Sequence, residues 1–430
     1  MKLSIIGSGY VGTTIAACFA DLGHDVVNVD IDEDVVEALN DGRSPIHEPG
    51  LDELIEEHAG DRLRATTDYD AVLDTDVTFL ALTTPSDDDG HIDLSIMEAA
   101  TKSLGSTLAE KDSDHLVVTK STVVPTTTEE VITPILEEHS GKTAGEDFDV
   151  GMNPEFLREG SAVSDFLDPD KVVLGSNTSR GAATMRAVFD PLLERAPDAA
   201  LVETGIREAE MIKYANNAFL AAKISLANDL ANICKEYGVD SKEVLDAIGL
   251  DSRIGSAFLG AGVGWGGSCF PKDVAAIVAA ARDVGYDPAM LEATMEVNDR
   301  QPVRMLDILR DHVDPDGARV AVLGLAFKPG TDDVRNSRAI PLVDALVDAG
   351  ADVVGYDPVA TANFREKFPD IDYADSAAAA LDGADAALVV TDWDEFAALD
   401  DEFDAMSEAV VVDGRRIVTR RDGIVYESLV

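Results

Sequence analysis

The stretch LSIIGSGYVGTTIAA, residues 3–17, constrains the fold more than any other part of this chain. A short β-branched run passes without a spacer into Gly7-Ser8-Gly9-Tyr10-Val11-Gly12 and then into an alanine-rich helical segment. Strand, tight turn and helix in so few residues leave βαβ wiring with a parallel sheet as the consistent architecture. The glycines let a pyrophosphate approach the helix N-terminus, where unpaired N–H groups and the helix dipole favour an anion. Asp30 ends the next strand, DVVNVDID, at the distance expected of an acid that accepts hydrogen bonds from an adenosine ribose. A carboxylate there repels a 2′-phosphate, so the turn predicts NAD rather than NADP; the other reading is a simple packing turn.

DVTFLAL and HLVVTKST repeat the pattern of a β-rich run feeding a polar turn. From Ile206 the sequence changes to EAEMIKYANNAFLAAKISLANDLANICKEYG, with apolar residues at Ile212, Ala215, Phe219, Ala222, Leu226, Leu230 and Ile233. This three-and-four spacing predicts one amphipathic helix of roughly 45 Å, a spine between two lobes whose apolar face can also bury against a second subunit. ARVAVLGLAFKPG, residues 318–330, then echoes the opening turn, and DAALVVTDW and AVVVDGRRIV supply further strands. The expected fold is α/β, two Rossmann-like doubly wound parallel-sheet lobes joined by a long central helix. The expected domains are residues 1–200, 201–300 and 301–430.

No apolar run approaches the roughly 18 residues that span a bilayer, and LSIIG lacks the flanks of a signal peptide, so a cytoplasmic location is expected. Acidic residues number 83 against 34 basic ones, a net charge of −49. That charge excludes duplex nucleic acid as a partner. An apolar content of 46% and the regular strand–helix pattern argue against disorder. The balance points to a halophilic source, where a Debye length of about 3 Å at 1 M salt screens the self-repulsion. On such a surface each retained lysine is conspicuous, above all Lys120, Lys213, Lys272 and Lys328.

The three cysteines form neither a disulfide framework nor a metal pattern, and no metal is expected. Cys18 and Cys234 fall on helical apolar faces. Cys269 lies in GVGWGGSCFPKDV, where glycines open its approach and Lys272 and the following helix favour a thiolate; it is either a nucleophile or a packed loop cysteine. A thiol paired with NAD suggests attack on an aldehyde, oxidation of the thiohemiacetal and hydrolysis of the thioester to an acid. Asn153-Pro154-Glu155-Phe156-Leu157-Arg158-Glu159 offers two carboxylates for proton transfer. Lys213 and Asn217, at i and i+4 on the long helix, project from one side and suit an alkoxide or oxyanion. Each of these also has the plainer reading of a solvated surface. The echo turn Gly324 to Gly330 carries Lys328, with Arg335 and Arg338 following, and suits a nucleotide diphosphate.

Together, GSGYVG, SPIHEPGL, KSTVVP, NPEFLREG, KYANNAFLA, DSRIG, GWGGSCFPKD, FKPGTDDVRNS and DGRRI resemble the UDP-glucose/GDP-mannose dehydrogenase family over the full length of the chain. The resemblance implies four-electron oxidation of UDP-glucose at C6 to UDP-glucuronate with two NAD⁺, by a dimer formed through the central helix. It makes Cys269 the nucleophile, Glu155 the acid/base of thioester hydrolysis, Lys213 the proton-handling cation and Asn217 an oxyanion donor. Asp273 and Thr122 would position water. NAD is assigned to Gly7, Gly9, Tyr10, Val11, Gly12, Asp30, Thr84, Pro85, Thr122, Glu159, Lys272 and Arg335. The UDP-sugar is assigned to Glu155, Phe156, Leu157, Arg158, Glu159, Lys213, Asn217 and Arg253, and to Gly260, Gly264, Trp265, Gly266, Phe327, Lys328 and Arg415. The chain departs from the family pattern at Val35, where a base is common, and in the acidic turn 87–89. GDP-mannose or a UDP-N-acetylhexosamine are the alternative substrates, and a non-catalytic nucleotide-sugar sensor is the alternative of another class.

Overall fold

A computed structural model describes residues 1–87 and 89–430, so one position of the acidic turn 87–89, residue 88, lies outside the described residues. The chain divides into two compact units, Met1–Asn216 and Asn217–Val430.

In the first unit, β1 (Lys2–Ile6), β2 (Asp25–Val29), β3 (Leu63–Thr66) and β4 (Val77–Leu80) are followed by β5 (Leu116–Thr119), β6 (Asp149–Met152), β7 (Lys171–Ser176) and β8 (Ala200–Thr204). They form an eight-stranded sheet of order β3-β2-β1-β4-β5-β6-β7-β8. All neighbours are parallel except β6 and β7, which meet antiparallel through Gly151↔Ser176 and Met152↔Gly175. The order reverses at β1, which pairs β2 on one side and β4 on the other. A crevice opens beyond the strand ends at such a switch point, and the Gly7–Gly12 turn sits there.

The first helix, Tyr10–Asp21, lies close against its own strand because Gly12 has no side chain: a Cβ there would stand 1.9 Å from the Gly7 carbonyl oxygen. Phe19 on its buried face meets Phe79, Phe166 and Phe189 with ring centroids 5.1 to 5.5 Å apart. Val35, where the family often has a base, packs against this core instead.

In the second unit, β9 (Arg319–Leu323), β10 (Asp352–Tyr356), β11 (Asp372–Tyr373), β12 (Ala386–Val389), β13 (Val410–Asp413) and β14 (Val425–Ser428) form a parallel sheet. Its order is β11-β10-β9-β12-β13-β14, the same winding as the first six strands of the other sheet. The expected pair of doubly wound lobes is present.

The long helix spans Ile206–Glu236, 31 residues, and contains the boundary between the units. Its apolar stripe is not the buried one. Phe219, Leu226 and Ile233 are 72%, 60% and 49% exposed, whereas Glu210, Lys213, Asn217 and Asn228 are buried among Ala209, Ala218, Ala221 and Ala231. Small residues let neighbouring backbone come close on the inner face, and the polar groups there find partners. The large apolar residues are left facing outward. Among the described residues, no helix is long and apolar enough to cross a membrane.

Candidate active site

At the head of the first helix, Gly7 takes a left-handed φ of 101° and Gly9 has open space where a side chain would stand. The Ser8 amide donates to Asp30 Oδ2 (2.5 Å) and the Asp32 amide to Asp30 Oδ1 (3.0 Å). A carboxylate offers about four acceptor sites, so the half-exposed Asp30 retains capacity for a ribose hydroxyl. Open space at Gly9, unsatisfied first-turn amides and a carboxylate with spare acceptors fit a dinucleotide. Thr84 Oγ1 donates to the Thr122 carbonyl (2.9 Å), which ties the turns after β4 and β5 together, and Pro85 accepts from the Asp93 amide (2.7 Å). In the acidic turn, Asp87 Oδ1 accepts from the amides of Asp89 and His91.

SPIHEPGL contributes a residue that motif chemistry alone did not single out. Glu48 is buried and accepts from the Tyr10 hydroxyl and from the amides of Gly160 (2.8 Å) and Ala162 (2.7 Å). One carboxylate thus joins the head of the first helix to the end of NPEFLREG. Burial, then Glu48 itself, pushes the Tyr10 phenol far up. The signal in the sequence was a lone acid inside an otherwise uncharged turn.

The loop after β6 brings Glu155 to Lys213. Lys213 Nζ stands 2.7 Å from Glu155 Oε1, while the Leu157 amide donates to Oε2 (2.7 Å). Both side chains are buried, which rejects the solvated-surface reading for each. Burial raises the Glu155 carboxyl, but the charge and hydrogen bond of Lys213, the Leu157 amide and Lys120 outweigh it and hold the group below its ordinary range. Lys120, at the end of β5, donates to Asn153 Oδ1 (2.7 Å) and reaches the Pro154 carbonyl (3.5 Å); Asn153 in turn donates to the Val173 carbonyl (2.8 Å). Phe156 lies under the Lys171 ammonium, 4.3 Å from its ring centroid. Arg158 is held by Asp165 and is exposed, and Glu159 is half-buried. Glu210, one turn before Lys213, accepts from the amides of Thr126 (2.7 Å) and Thr128 (2.8 Å), fixing Thr126 at a left-handed φ of 83°.

In the second unit, Cys269 is exposed and stands immediately before the helix Phe270–Asp283. Cys18 is buried and Cys234 half-buried. Burial pushes the Cys18 thiol well up, in keeping with an inert role. One turn beyond Cys269, the buried Asp273 accepts from Asn217 Nδ2 (2.6 Å) and pairs with Lys272 (2.7 Å). The glycine loop is shaped by packing: a Cβ on Gly267, at φ 81°, would lie 2.7 Å from the Phe327 ring. The Gly267 amide donates to the Arg335 carbonyl (3.0 Å) and Asn336 Nδ2 to the Gly267 carbonyl (3.1 Å), so FKPGTDDVRNS clamps the cysteine loop.

Other expected ligands are arranged less directly. Trp265 is buried and donates through Nε1 to Ser225 Oγ (3.0 Å), so its indole serves the core. Gly260 lies in open space and Gly264 packs against Asn298. Arg253 is bound to Asp251 and Arg335 to Asp333, each through paired contacts on an exposed turn. Lys328 stands 5.5 Å from the Phe327 ring centroid. Arg415 donates to the Val390 carbonyl (2.7 Å), and burial pushes its guanidinium down.

Three sequence models cover these regions in order: the NAD binding domain of the UDP-glucose/GDP-mannose dehydrogenase family over residues 1–193, its central domain over 207–300 and its UDP binding domain over 321–420. This chain belongs to the UDP-glucose/GDP-mannose dehydrogenase family. It is 74% identical to the UDP-glucose 6-dehydrogenase AglM of Haloferax volcanii, over all of both chains. It is 46% identical to the UDP-glucose 6-dehydrogenase of Rhizobium meliloti, covering all of this chain and 99% of the relative. Among solved structures, a UDP-glucose dehydrogenase from the hyperthermophilic archaeon Pyrobaculum islandicum superposes with a TM-score of 0.92 at 40% identity, covering 100% of this chain and 97% of that one.

Proposed function

We propose that this chain oxidises the C6 alcohol of UDP-glucose to the carboxylate of UDP-glucuronate with two NAD⁺, in the cytoplasm of a halophilic cell. The observation that carries the reading is Cys269, an exposed thiol at the head of a helix, with Asp273 buried one turn on and held by Asn217. The proposed division of labour is NAD binding by residues 1–200, dimerisation by 201–300 and UDP-sugar binding by 301–430.

Bound NAD accepts the electron pair at each of the two oxidations. Gly7, Gly9, Gly12 and the Tyr10 and Val11 amides would hold its pyrophosphate and Asp30 its ribose, with Thr84, Pro85, Glu159, Lys272 and Arg335 around them. Lys213, having passed its own proton to the paired Glu155 carboxylate, takes the proton of the C6 hydroxyl as the first oxidation gives the aldehyde. The Cys269 sulfur then bonds to the aldehyde carbon, and the carbonyl oxygen becomes the hydroxyl of a thiohemiacetal. Asn217, whose amide Asp273 orients, would donate to the developing oxyanion. After the second oxidation gives the thioester, Glu155 removes a proton from water as it attacks, the C–S bond breaks and the sulfur regains a proton. Thr122 and Asp273 would orient that water.

Arg253, with Phe327, Lys328 and Arg415, would meet the nucleotide phosphates and base of the UDP-sugar. Arg253 gives up its surface pairing with Asp251 at little cost. The outward Phe219, Leu226 and Ile233 recur every seventh residue on the long helix and support burial against a second copy.

Purified protein in molar KCl, offered UDP-glucose, UDP-galactose, UDP-GlcNAc and GDP-mannose with NAD⁺, tests the reading. Two NADH per UDP-glucose are expected, and Cys269→Ala binds both ligands yet makes no acid. Normal acid production by that variant would refute the covalent route. Light scattering should give a dimer that Phe219→Asp with Leu226→Asp converts to monomer.

A further inference from the structure

Of the motifs that mark the family, SPIHEPGL is the one from which the proposed reaction takes no residue. Its Glu48 is 3% exposed. Oε2 accepts from the Tyr10 hydroxyl and the Gly160 amide (2.8 Å), and Oε1 from the Ala162 amide (2.7 Å). Hydrogen bonds to a carboxylate are the strong kind, so the three points are firmly joined. Tyr10 is the first residue of the helix Tyr10–Asp21, next to Gly9. Gly160 directly follows Glu159 and turns at a left-handed φ of 82°. The Arg158 carbonyl accepts from the Ser161 amide (3.0 Å). Both peptide groups that flank Glu159 are therefore held, one by this turn and the other by Glu48. Burial, then the bond to Glu48 and its charge, then the charge of Glu159 push the Tyr10 phenol far up, so the hydroxyl stays a donor. An acid that only capped the helix Ala162–Leu167 would have no use for Tyr10.

We propose that Glu48 is a positioning residue for the cofactor that acts through Glu159: it ties the backbone carrying Glu159 to the head of the helix on which the pyrophosphate would rest. NAD would meet the Gly7–Gly12 turn at its pyrophosphate and Glu159 at a second point, so the separation of the two has to suit one ligand. Glu48 sets that separation in advance, and the ordering of the Glu159 turn is then not subtracted from the binding free energy. Without the tie, residues 158–161 are free to move together with Glu159, and the loss falls on cofactor affinity. This inference rests on the assignment of NAD to the glycine turn and Glu159 in the functional reading above.

The test is calorimetric titration of NAD⁺ into the purified chain in molar KCl, comparing wild type with Glu48→Gln, Tyr10→Phe, Glu159→Ala and the pair Tyr10→Phe with Glu159→Ala. Glutamine keeps the shape but turns one of the two acceptors into a donor, which must then face the Gly160 or the Ala162 amide. Phenylalanine removes only the hydroxyl and leaves both amide bonds in place. The Kd for NAD⁺ should rise about tenfold in Glu48→Gln and about fivefold in Tyr10→Phe. With Glu159→Ala already present, the tyrosine change should alter Kd by less than about twofold, because the two residues act as one unit. Equal effects with and without Glu159 would mean that Tyr10 acts on the glycine turn alone, and would overturn the proposal. An unchanged Kd in Glu159→Ala overturns it too. So does a folded Glu48→Gln or Tyr10→Phe that melts lower yet binds NAD⁺ as wild type does, the result of a purely structural tie. If Glu48→Gln does not fold, the tyrosine cycle decides by itself. If wild type binds NAD⁺ but forms no NADH from any nucleotide sugar, the reading of the reaction falls alone and the titrations still decide the role of Glu48.

Discussion

The two glycine turns, one at the end of β1 and the other at the end of β9, have the same backbone and do different work. In each, the glycine amide donates to the last residue of the neighbouring strand, Gly7 to Val29 and Gly324 to Tyr356, both at 2.8 Å. In each, an aspartate follows that residue and accepts from the amide after the glycine, Ser8 to Asp30 and Leu325 to Asp357. Asp30 takes two amides and is half-exposed. Asp357 is 3% exposed and takes five donors: the amides of Leu325, Ala326, Val359 and Ala360 and the Trp393 indole. The first turn opens directly into the helix Tyr10–Asp21, whereas the second is followed by the loop 327–338 before the helix Ala339–Asp348. Repetition of the βαβ unit therefore carries over the fold and not the ligand. What decides is whether the carboxylate keeps free acceptors and whether a helix begins at the glycine.

The comparison breaks most visibly at Asp357. Asp357→Ala strands five donors, those of Leu325, Ala326 and Ala360 fully buried, and should cost about 3–5 kcal/mol, enough to unfold the second unit or lower its melting temperature by several degrees. A melt within a degree of wild type would show that the two aspartates are alike. Gly12→Val belongs to the same range for another reason: the side chain must displace the Gly7 carbonyl, so both stability and NAD binding should fall, read by melting and by NAD titration.

Acid should separate the units next. His115 is buried in the first unit, and its Nδ1 must carry the hydrogen because the Thr75 carbonyl can only accept. Burial, then Lys111, push it down to about 3. The unfolded chain binds a proton below its ordinary pKa near 6.5 and the folded one does not, so stability falls as pH drops through that value toward 3, by about 2 kcal/mol at pH 5. Denaturation at about pH 5 should weaken the first unit before the second, and His115→Gln should flatten the effect.

The smallest expected effect on stability is the sharpest on binding. Asp30→Ala should change stability by only about 1 kcal/mol yet raise the Kd for NAD about tenfold or more, by calorimetry. Trp393→Phe, which removes one of the five donors to Asp357, should cost about 1 kcal/mol with NAD binding unchanged.

Much of the site was legible because its signals are local. A strand running into Gly7–Gly12, a cysteine amid glycines and the four-residue spacing of Lys213 and Asn217 are properties of adjacent residues. Glu48 was not, since its partners Tyr10, Gly160 and Ala162 lie 38 to 114 residues away in the chain. Lys120 stood out as a scarce lysine, but its pairing with Asn153 depends on β5 and β6 lying side by side.

The sequence by itself determined the strand and helix order, the two glycine turns, the length of the central helix and the family. These follow from short-range sterics and periodicity, which act before the chain is packed. Tertiary structure alone decided which face of the long helix is buried, which aspartate is saturated and which lysine shares Glu155. Periodicity tells which residues lie together on a face; only the packed neighbours, with their donors, charges and excluded water, determine what that face meets.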